Sequence, residues 1–316
     1  MSVSSKFQPI DSSKIPRYAE VATFMRAAKV EIEKPLDIAL AGVPLDLGAT
    51  YRVGARHGPA GVREASRLIR QVNPTTGVAP YRLCNIGDVG DAPTHPLSVE
   101  LSVDMIEEFY KRIHAIGAVP LSVGGDHVVP LPILRAIAKE RPVGLIQIDS
   151  HADTFDTFMG TKINHATFVR RGIEEGLLDP KRIIQIGLRG TRYGDDDINY
   201  GNEAGIRMMS MDEYEDLGRA AVIDEIKRVI GDGPTYITID IDGLDPRDAA
   251  GTAVPEPGGI SMRDLQMILR KLTGANIIGG DICEVVPGLD PSGMTCVNAA
   301  NLLFEMTCLA AVARGK

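Results

Sequence analysis

The segment that decides the fold is Val143-Gly144-Leu145-Ile146-Gln147-Ile148-Asp149-Ser150-His151-Ala152-Asp153. Its first part is a mostly apolar run of strand length, which is typical of a parallel strand buried on both faces of a sheet. Asp149, His151 and Asp153 follow this run directly. In an extended chain, residues i, i+2 and i+4 project from the same face, so these three side chains can converge on one point.

Three further segments place polar side chains at the end of a strand-like run or just beyond it. They are Gly124-Gly125-Asp126-His127 after residues 118–123, Asp240-Ile241-Asp242 at the end of residues 235–240, and Asp281-Ile282-Cys283-Glu284 at the end of residues 276–281. In parallel α/β sheets, ligands gather at the carboxyl ends of the strands. We therefore expect all four segments on one rim of the sheet, where a functional site forms.

The other apolar runs complete an α/β pattern. Further runs of strand length cover residues 37–43, 82–86, 182–187 and 206–209. The clearest segments with helical periodicity cover residues 61–70, 99–116, 131–139, 167–175, 220–230, 262–272 and 298–313. This alternation predicts a mostly parallel sheet of about eight strands covered by helices on both faces, either open or closed into a barrel. Because no linker or repeat interrupts the pattern, we expect one domain over residues 1–316.

Composition excludes several classes of protein. The 316 residues carry a net charge of −8 without a long basic block, which argues against a nucleic-acid binder. The apolar stretches are interrupted before membrane-spanning length and the N-terminal residues lack an apolar signal core, so we expect no membrane partner and a cytoplasmic location. The cysteines lack Cys-x-x-Cys spacing and are interpreted as buried free thiols in a reducing compartment; they are Cys84, Cys283, Cys296 and Cys308.

The polar strand ends contain a set of metal-binding side chains. Four carboxylates and two imidazoles come from His127, Asp149, His151, Asp153, Asp240 and Asp242. Unpaired buried carboxylates are costly, so a group of them needs a strongly positive counter-charge. Carboxylate and imidazole ligands without thiolates suit Mn²⁺, and also Ni²⁺, Co²⁺ or Fe²⁺. The sequence therefore predicts two divalent metal ions per chain, close enough for a carboxylate to bridge them.

The order of these motifs resembles a known family. Gly-Gly-Asp-His, Asp-x-His-x-Asp and Asp-x-Asp-x-x-Asp-Pro, in this order, resemble the ureohydrolases, which include arginase, agmatinase and the guanidino-acid hydrolases. Residues 15–18 and 23–26 look like part of the N-terminal arm of guanidinobutyrase and guanidinopropionase, which would cover residues 1–35 here. Residues 43–46 and 54–59 match the first loop of those enzymes. The resemblance extends across nearly the whole chain.

The resemblance implies an arginase-like three-layer α/β/α fold with a binuclear metal centre. One metal would be held by His127, Asp149, Asp153 and Asp240, and the other by Asp149, His151, Asp240 and Asp242. Asp149 and Asp240 would then be the bridging ligands. Manganese is the expected metal, with nickel as the alternative. Hydroxide held between the metals would attack the guanidinium carbon of a small guanidino substrate, and the products would be urea and an amine.

The resemblance also implies roles for further residues and an assembly. Asp153 would hydrogen-bond the nucleophile and help protonate the leaving amine. Glu284 stands where the family places the carboxylate that binds the guanidinium group, and bidentate pairing with a planar cation agrees with that role. His165 aligns with the mobile proton-shuttle histidine of the family. Similar enzymes form trimers or hexamers, so a homo-oligomer is expected, and a hetero-oligomer with a related subunit is the alternative.

The sequence departs from the family around the expected substrate pocket. Phe155 stands where many relatives carry Asn, Ala166 replaces a glycine in the motif Asn164-His165-Ala166-Thr167, and Ala253 and Val254 alter a loop that is usually richer in Gly and Thr. Each change adds apolar bulk or removes a polar group or a backbone constraint. We therefore expect Phe155, Asn164, Ala253 and Val254 to affect how the tail of the substrate is bound.

These observations leave alternative functions open. Overall resemblance favours a short guanidino acid as the substrate. The pocket departures favour guanidine or an alkylated guanidine or biguanide, with nickel as the metal. A non-catalytic subunit that stabilises an active partner is a third possibility, although it would not need all six ligands. A metal-dependent deacetylase is disfavoured, since its ligand set is centred on one zinc ion.

Overall fold

The computed structural model describes residues 3–315, so that the predicted N-terminal arm, residues 1–35, begins with two residues outside this range. Within it, nine strands form one sheet: β1 Ala28–Lys29, β2 Ile38–Gly42, β3 Ile86–Asp91, β4 Val119–Val123, β5 Val143–Ile148, β6 Leu178–Leu188, β7 Arg207–Ser210, β8 Thr235–Asp240 and β9 Ile277–Cys283. The strand order is β1-β3-β2-β4-β9-β8-β5-β6-β7, and each neighbouring pair is parallel. The sheet is therefore open, which decides between the two predicted alternatives.

Helices cover both faces of the sheet. They are α1 Gly58–Ala65, α2 Pro80–Leu83, α3 Val99–Ala115, α4 Pro130–Ile137, α5 Phe168–Glu174, α6 Asp196–Ala204, α7 Met211–Ile230, α8 Met262–Lys271 and α9 Met294–Arg314. Along β5, Ile146 and Ile148 pack into one apolar cluster with α7, α8 and α9, whereas Leu145 packs into a second cluster with α3, α4 and α5. This alternation confirms the predicted three-layer α/β/α architecture.

Several predicted element boundaries are wrong. The strand predicted at residues 82–86 starts inside the short helix α2, which ends at Leu83, and β3 begins only at Ile86. Pro80 occupies the first turn of α2, where its fixed φ angle suits a helix start. Helix α7 begins at Met211, although the periodicity predicts only residues 220–230, because Gly218 interrupts it with a φ of 73°. The two-residue strand β1 and the polar helix α6 have no predicted counterpart.

Helix α9 begins four residues before the predicted segment 298–313 and ends one residue after it. By length and composition it could cross a membrane, but 78% of its most apolar window is buried inside the protein. A buried core helix passes the same test of length and hydropathy. Helix α9 packs against α1, α8 and β9, and the four cysteines are free and buried as predicted.

The strand register brings the polar strand ends to the same level of the sheet. Strands β4, β9, β8 and β5 are consecutive neighbours. Val123 pairs with Ile282, Ile282 with Ile239, and Ile239 with Ile148. The residues that follow these four positions along the chain therefore leave the sheet side by side at its carboxyl rim.

Candidate metal centre and active site

Asp149 lies between the two predicted histidine ligands, just beyond the end of β5. Its Oδ2 atom is 3.0 Å from Nδ1 of His127, and its Oδ1 atom is 3.7 Å from Nδ1 of His151. The carboxylate is fully buried. One oxygen therefore faces each histidine, which is the arrangement expected of a carboxylate that bridges two ions.

The first ligand group surrounds Nδ1 of His127. This atom is 2.8 Å from Oδ2 of Asp153 and 3.4 Å from Oδ2 of Asp240. It is buried and forms no hydrogen bond within the described part of the chain, although carboxylate oxygens lie close to it. His127, Asp149 and Asp240 have ligand atoms within 4.8 Å of one another, and so do His127, Asp281 and Cys283 on the other side of the ring.

The other ring nitrogen of His127 explains why Nδ1 is available. Nε2 lies 2.7 Å from Oγ1 of Thr238, and that hydroxyl donates its proton to Oδ1 of Asp281 at 2.7 Å. The hydroxyl of Thr238 can then only accept a hydrogen bond from the Nε2–H group of His127. In the neutral ring, Nδ1 is therefore unprotonated and directs its lone pair at carboxylate oxygens. A cation between them would satisfy all of these atoms.

The second ligand group combines Asp149, His151 and Asp242, whose ligand atoms also lie within 4.8 Å of one another. Nδ1 of His151 is 3.2 Å from Oδ2 of Asp242. The hydroxyl of Ser150 donates to Oδ1 of Asp242 at 2.7 Å, which fixes the orientation of that carboxylate. Asp240 belongs to the first group through its Oδ2 atom, which lies 3.4 Å from Nδ1 of His127, while its Oδ1 atom accepts the backbone N–H of Asp242 at 2.9 Å.

The carboxylates of the site are buried close to one another, which raises the pKa of two of them. Burial and the nearby charge of Asp149 raise the pKa of Asp153 to about 6. Burial, followed by the charges of Asp242 and Asp149, raises the pKa of Asp240 well above its usual value. Both shifts indicate that the negative charges are crowded and poorly solvated. The donor set and the crowding fit two divalent cations.

Two residues of the site have strained backbone. Asp153 and Glu284 have φ angles of 53° and 61°, in the left-handed region that favours glycine. Such conformations cost about 1–3 kcal/mol each and persist where the surroundings determine them. Here the strain turns both carboxylates toward the same cavity.

Glu284 and His165 contact each other beside the ligand groups. Oε1 of Glu284 accepts the backbone N–H of His127 at 3.0 Å and lies 3.4 Å from Nδ1 of His165. Nε2 of His165 is 2.8 Å from Oγ1 of Thr50. Burial alone would lower the pKa of His165, but the hydrogen bond and charge of Glu284 raise it above its usual value. Oε2 of Glu284 is buried and has no hydrogen-bond partner among residues 3–315.

A cavity of about 1120 Å³ opens over these groups. Asp153, Asp240 and Glu284 lie in its wall. An aromatic surface also lines it: the rings of Phe155 and Phe158 are 5.3 Å apart, and the ring of Tyr193 is 5.6 Å from that of Phe158. The cavity is therefore polar where the ligands lie and aromatic along part of its wall.

Two of the four predicted substrate-binding residues line the cavity. Phe155 and Val254 line the cavity, whereas Asn164 and Ala253 are not among the described residues that line it. The side-chain amide of Asn164 donates to Thr161 and its oxygen accepts the backbone N–H of Ala166, so it organises its own loop. Ala253 is buried and its carbonyl oxygen accepts a hydrogen bond from Arg52. For these two residues, direct substrate contact stays a prediction.

Sequence reasoning missed several residues of the cavity wall. Phe158, Tyr193, Arg192 and Thr50 line it, although none belongs to a metal-ligand motif. The spacing of Phe155 and Phe158 on one loop could have indicated the first of them. Tyr193 and Arg192 lie on a different loop after β6, and their proximity depends on the fold.

Comparison with known proteins places the chain in a family. The Arginase family matches residues 36–308. Guanidinopropionase from Pseudomonas aeruginosa is 47% identical over 305 residues, which cover 96% of each chain. Guanidino acid hydrolase, mitochondrial, from Homo sapiens is 40% identical over 302 residues, which cover 95% of this chain and 86% of that one.

A solved structure gives the same result. Proclavaminate amidino hydrolase from Streptomyces clavuligerus superposes with a TM-score of 0.91 at 35% identity, covering 94% of this chain and 99% of that chain. Fold and sequence together define the ureohydrolase class, as predicted. The chain belongs to the arginase family.

Proposed function

We propose that this chain is a metal-dependent amidinohydrolase that cleaves a guanidino compound to urea and an amine. The observation that carries the proposal is the buried Oε2 atom of Glu284, which has no hydrogen-bond partner in the described range and lies in the wall of the cavity that Asp240 and Asp242 also line. A guanidinium ion presents paired N–H donors in the geometry that a carboxylate accepts. Relatives named for guanidinopropionate and guanidino acids support the same substrate class.

The residues of the chain then have distinct tasks. When bound, two divalent ions would supply an activated water as the nucleophile. Glu284 would hold the guanidinium group, since its Oε1 is already fixed by the backbone N–H of His127. Asp153 would accept a hydrogen bond from the attacking water and pass a proton to the leaving amine. His165, between Glu284 and Thr50, would exchange protons with the solvent-filled cavity.

Replacing His165 by Ala is expected to lower kcat by about 10²-fold while both metal ions remain bound, because the imidazole is not in either ligand group. Urea release and metal content per chain measure the two effects. His114→Ala, an exposed histidine near the end of α3, is the matched control and should leave both unchanged. Unchanged turnover in His165→Ala across the pH range would contradict the proton-transfer role.

Arg192 supports a substrate with a carboxylate tail. Two arginines of the described chain line the cavity, but Arg189 is committed to backbone carbonyl oxygens, including those of Asp242 at 2.7 Å and Glu256 at 2.6 Å. Within residues 3–315, Arg192 forms one ion pair, with Asp195 at 3.1 Å, and the two side chains are 48% and 67% exposed. Such an exposed pair is weak and exchanges readily. Arg192 is therefore available to bind the carboxylate of a short guanidino acid.

The aromatic surface supports a second candidate substrate. Phe155, Phe158 and Tyr193 form a continuous row of rings along the cavity wall. Aromatic faces bind alkyl groups by burial and cations by their quadrupole. An alkylated guanidine or biguanide, which lacks a carboxylate, would use this surface without needing Arg192.

A substrate panel tests the proposed function. Metal-free protein is reloaded with Mn²⁺ or Ni²⁺, and urea release is measured with 3-guanidinopropionate, 4-guanidinobutyrate, butylguanidine, dimethylbiguanide, agmatine and arginine. We expect the highest kcat/KM with a guanidino acid, and higher activity with Mn²⁺. A preference for arginine or agmatine above about tenfold would contradict the substrate assignment. Absence of urea release from the whole panel would contradict the proposed function.

Replacing Arg192 by Glu is expected to lower kcat/KM for 4-guanidinobutyrate by about 10- to 100-fold, because a charge-assisted hydrogen bond to the tail is lost and a repulsive charge is added. Butylguanidine has the same guanidinium group without the carboxylate, so its kcat/KM should change by less than about threefold. Arg192→Lys retains the charge and should retain most of the preference. Equal losses for both substrates would mean that Arg192 stabilises the loop and does not select the tail.

The proposed assembly of identical chains and the cytoplasmic location stay predictions. Exposed apolar side chains at the cavity rim, such as Tyr51 and Met159, which are 75% and 73% exposed, are compatible with an assembly that covers them.

A further inference from the structure

A row of buried polar side chains crosses the middle of the sheet, one layer below the metal ligands. In register, Ser122 on β4 pairs with Asp281 on β9, then Thr238 on β8, Gln147 on β5 and Gln185 on β6. All five are completely buried. Because side chains alternate along a strand, each residue lies on the same face as the residue two positions later, and Gln147 therefore shares a face with Asp149.

The two glutamines in this row connect to Asp149 by hydrogen bonds. Nε2 of Gln147 is 2.8 Å from Oδ2 of Asp149. Nε2 of Gln185 is 2.8 Å from Oε1 of Gln147 and 2.6 Å from the carbonyl oxygen of Ala152. The chain of contacts thus runs from β6 to β5 and then to the carboxylate, with a branch to the loop between His151 and Asp153.

The chemistry of the groups determines which way each amide points. An ionised carboxylate only accepts hydrogen bonds, so the amide of Gln147 must present its NH₂ group to Asp149. Its oxygen then faces β6 and accepts from the NH₂ group of Gln185. The second N–H of Gln185 is used by the carbonyl of Ala152, which also only accepts. Asp149 therefore determines the orientation of both amides. The hydrogen bonds that run from Gln185 through Gln147 to Asp149 form a relay.

The relay fixes the plane of the Asp149 carboxylate. Gln147 holds Oδ2, the oxygen nearest to His127, and the backbone N–H of His151 donates to Oδ1 at 2.7 Å. With one donor on each oxygen, the carboxylate cannot rotate without breaking a buried hydrogen bond. Its remaining lone pairs keep their directions toward the two ligand groups.

Fold stability does not explain the glutamines. The neighbouring pair on the same face, Leu145 and Ile183, is apolar, and Oε1 of Gln185 has no hydrogen-bond partner in the described range. Burying an unsatisfied amide oxygen costs free energy. Replacing both partners of a buried hydrogen bond by apolar groups of similar shape can be neutral or stabilising.

We infer that Gln147 and Gln185 are positioning residues that orient Asp149, and thereby set the affinity of the metal centre. The inference rests on the proposed metal-dependent function, but it concerns residues outside both ligand groups. Hydrogen bonds to metal ligands typically change metal affinity by about 10- to 100-fold. Removing the relay should therefore lower the affinity for the metal ions without lowering the stability of the fold.

The test measures Mn²⁺ binding to metal-free protein by calorimetry or by competition with a chelating dye. The variants are Gln147→Met, Gln185→Met and the double variant, with Thr307→Val as a matched control. Thr307 is also fully buried and hydrogen-bonded, but it lies on α9 and donates to Leu303. The melting temperature of each metal-free variant is recorded as a readout of the fold.

We expect Gln147→Met to weaken Mn²⁺ binding by about 10- to 100-fold, with a smaller loss in Gln185→Met and no loss in Thr307→Val. The double variant should bind about as weakly as Gln147→Met alone, since the two residues act in series. The metal-free variants should melt within a few degrees of the wild type or above it.

Three outcomes would overturn the inference. If the wild type binds Mn²⁺ and a folded Gln147→Met protein binds it with unchanged affinity, the role of the relay is refuted. The proposed metal centre is not affected by that result. If Gln147→Met does not fold, unchanged affinity in Gln185→Met would refute the role of the relay in the same way. A wild-type protein that binds neither Mn²⁺ nor Ni²⁺ would refute the proposed metal centre together with the relay.

Discussion

Replacement of Asp149 by Asn, or of Asp240 by Asn, is expected to abolish urea release. Each change keeps the size of the side chain but removes a negative charge that lies among the histidine ligands. Asp149 has one oxygen on the side of each histidine, and Asp240 lies 3.4 Å from Nδ1 of His127. Because metal affinity depends on ionised ligands, either variant should bind fewer than two ions per chain.

Metal content by mass spectrometry and urea release from 4-guanidinobutyrate measure these effects. Asp290→Asn is the matched control, because Asp290 is also buried but hydrogen-bonds near the start of α9, outside both ligand groups. It should keep both ions and most of the activity. A fully active wild-type protein with a single bound zinc ion would contradict the two-metal assignment.

Replacement of Glu284 by Gln is expected to lower kcat/KM by about 10²-fold or more, because truncating the charge of a buried, hydrogen-bonded ion pair costs several kcal/mol. The amide oxygen of Gln can still accept the backbone N–H of His127, so the fold and the ligand groups should be retained. Steady-state kinetics on the preferred guanidino substrate give the loss, and metal content and melting temperature give the controls.

The charge is the property under test in this variant. Glu284→Asp keeps the charge on a shorter side chain and should recover part of the loss if a carboxylate is required. Near-normal kcat/KM in Glu284→Gln would show that the guanidinium group is bound elsewhere.

The sequence predicts the central part of the fold more reliably than its edges. Strands β5 and β8 are predicted because continuous apolar runs end abruptly in carboxylates, a pattern that few other structures produce. The edge strand β1 has two residues, too few for any periodicity, and α6 is polar throughout most of its length. These elements are held by their neighbours, and their own sequence carries a weak signal.

In the candidate site, the metal ligands are predicted from the sequence, whereas the aromatic part of the cavity wall is largely not. Most of the ligands are found because they lie two or four residues apart in short motifs at strand ends. The extended backbone expected in these motifs is not observed, because Asp153 has a φ of 53° and Asp242 lies in a short 3-10 helix, Ile241–Gly243. The aromatic wall joins Phe158 to Tyr193, which lie on different loops, and only the folded sheet places their rings 5.6 Å apart. The sequence predicts Asn164 and Ala253 as substrate contacts from their positions in motifs; in the fold both are buried, the side-chain oxygen of Asn164 accepts the backbone N–H of Ala166, and the carbonyl oxygen of Ala253 accepts from Arg52.

The strand order has a consequence for how the protein is made. Strands β4 and β5 come from the first half of the chain, and β9 and β8, which lie between them, come from the second half. While the ribosome is still adding residues before β8, β4 and β5 have no direct neighbours on their facing edges, and Asp240 and Asp242 are missing from the six predicted ligands. The complete ligand set therefore exists only after the chain has been made through Asp242, just beyond β8.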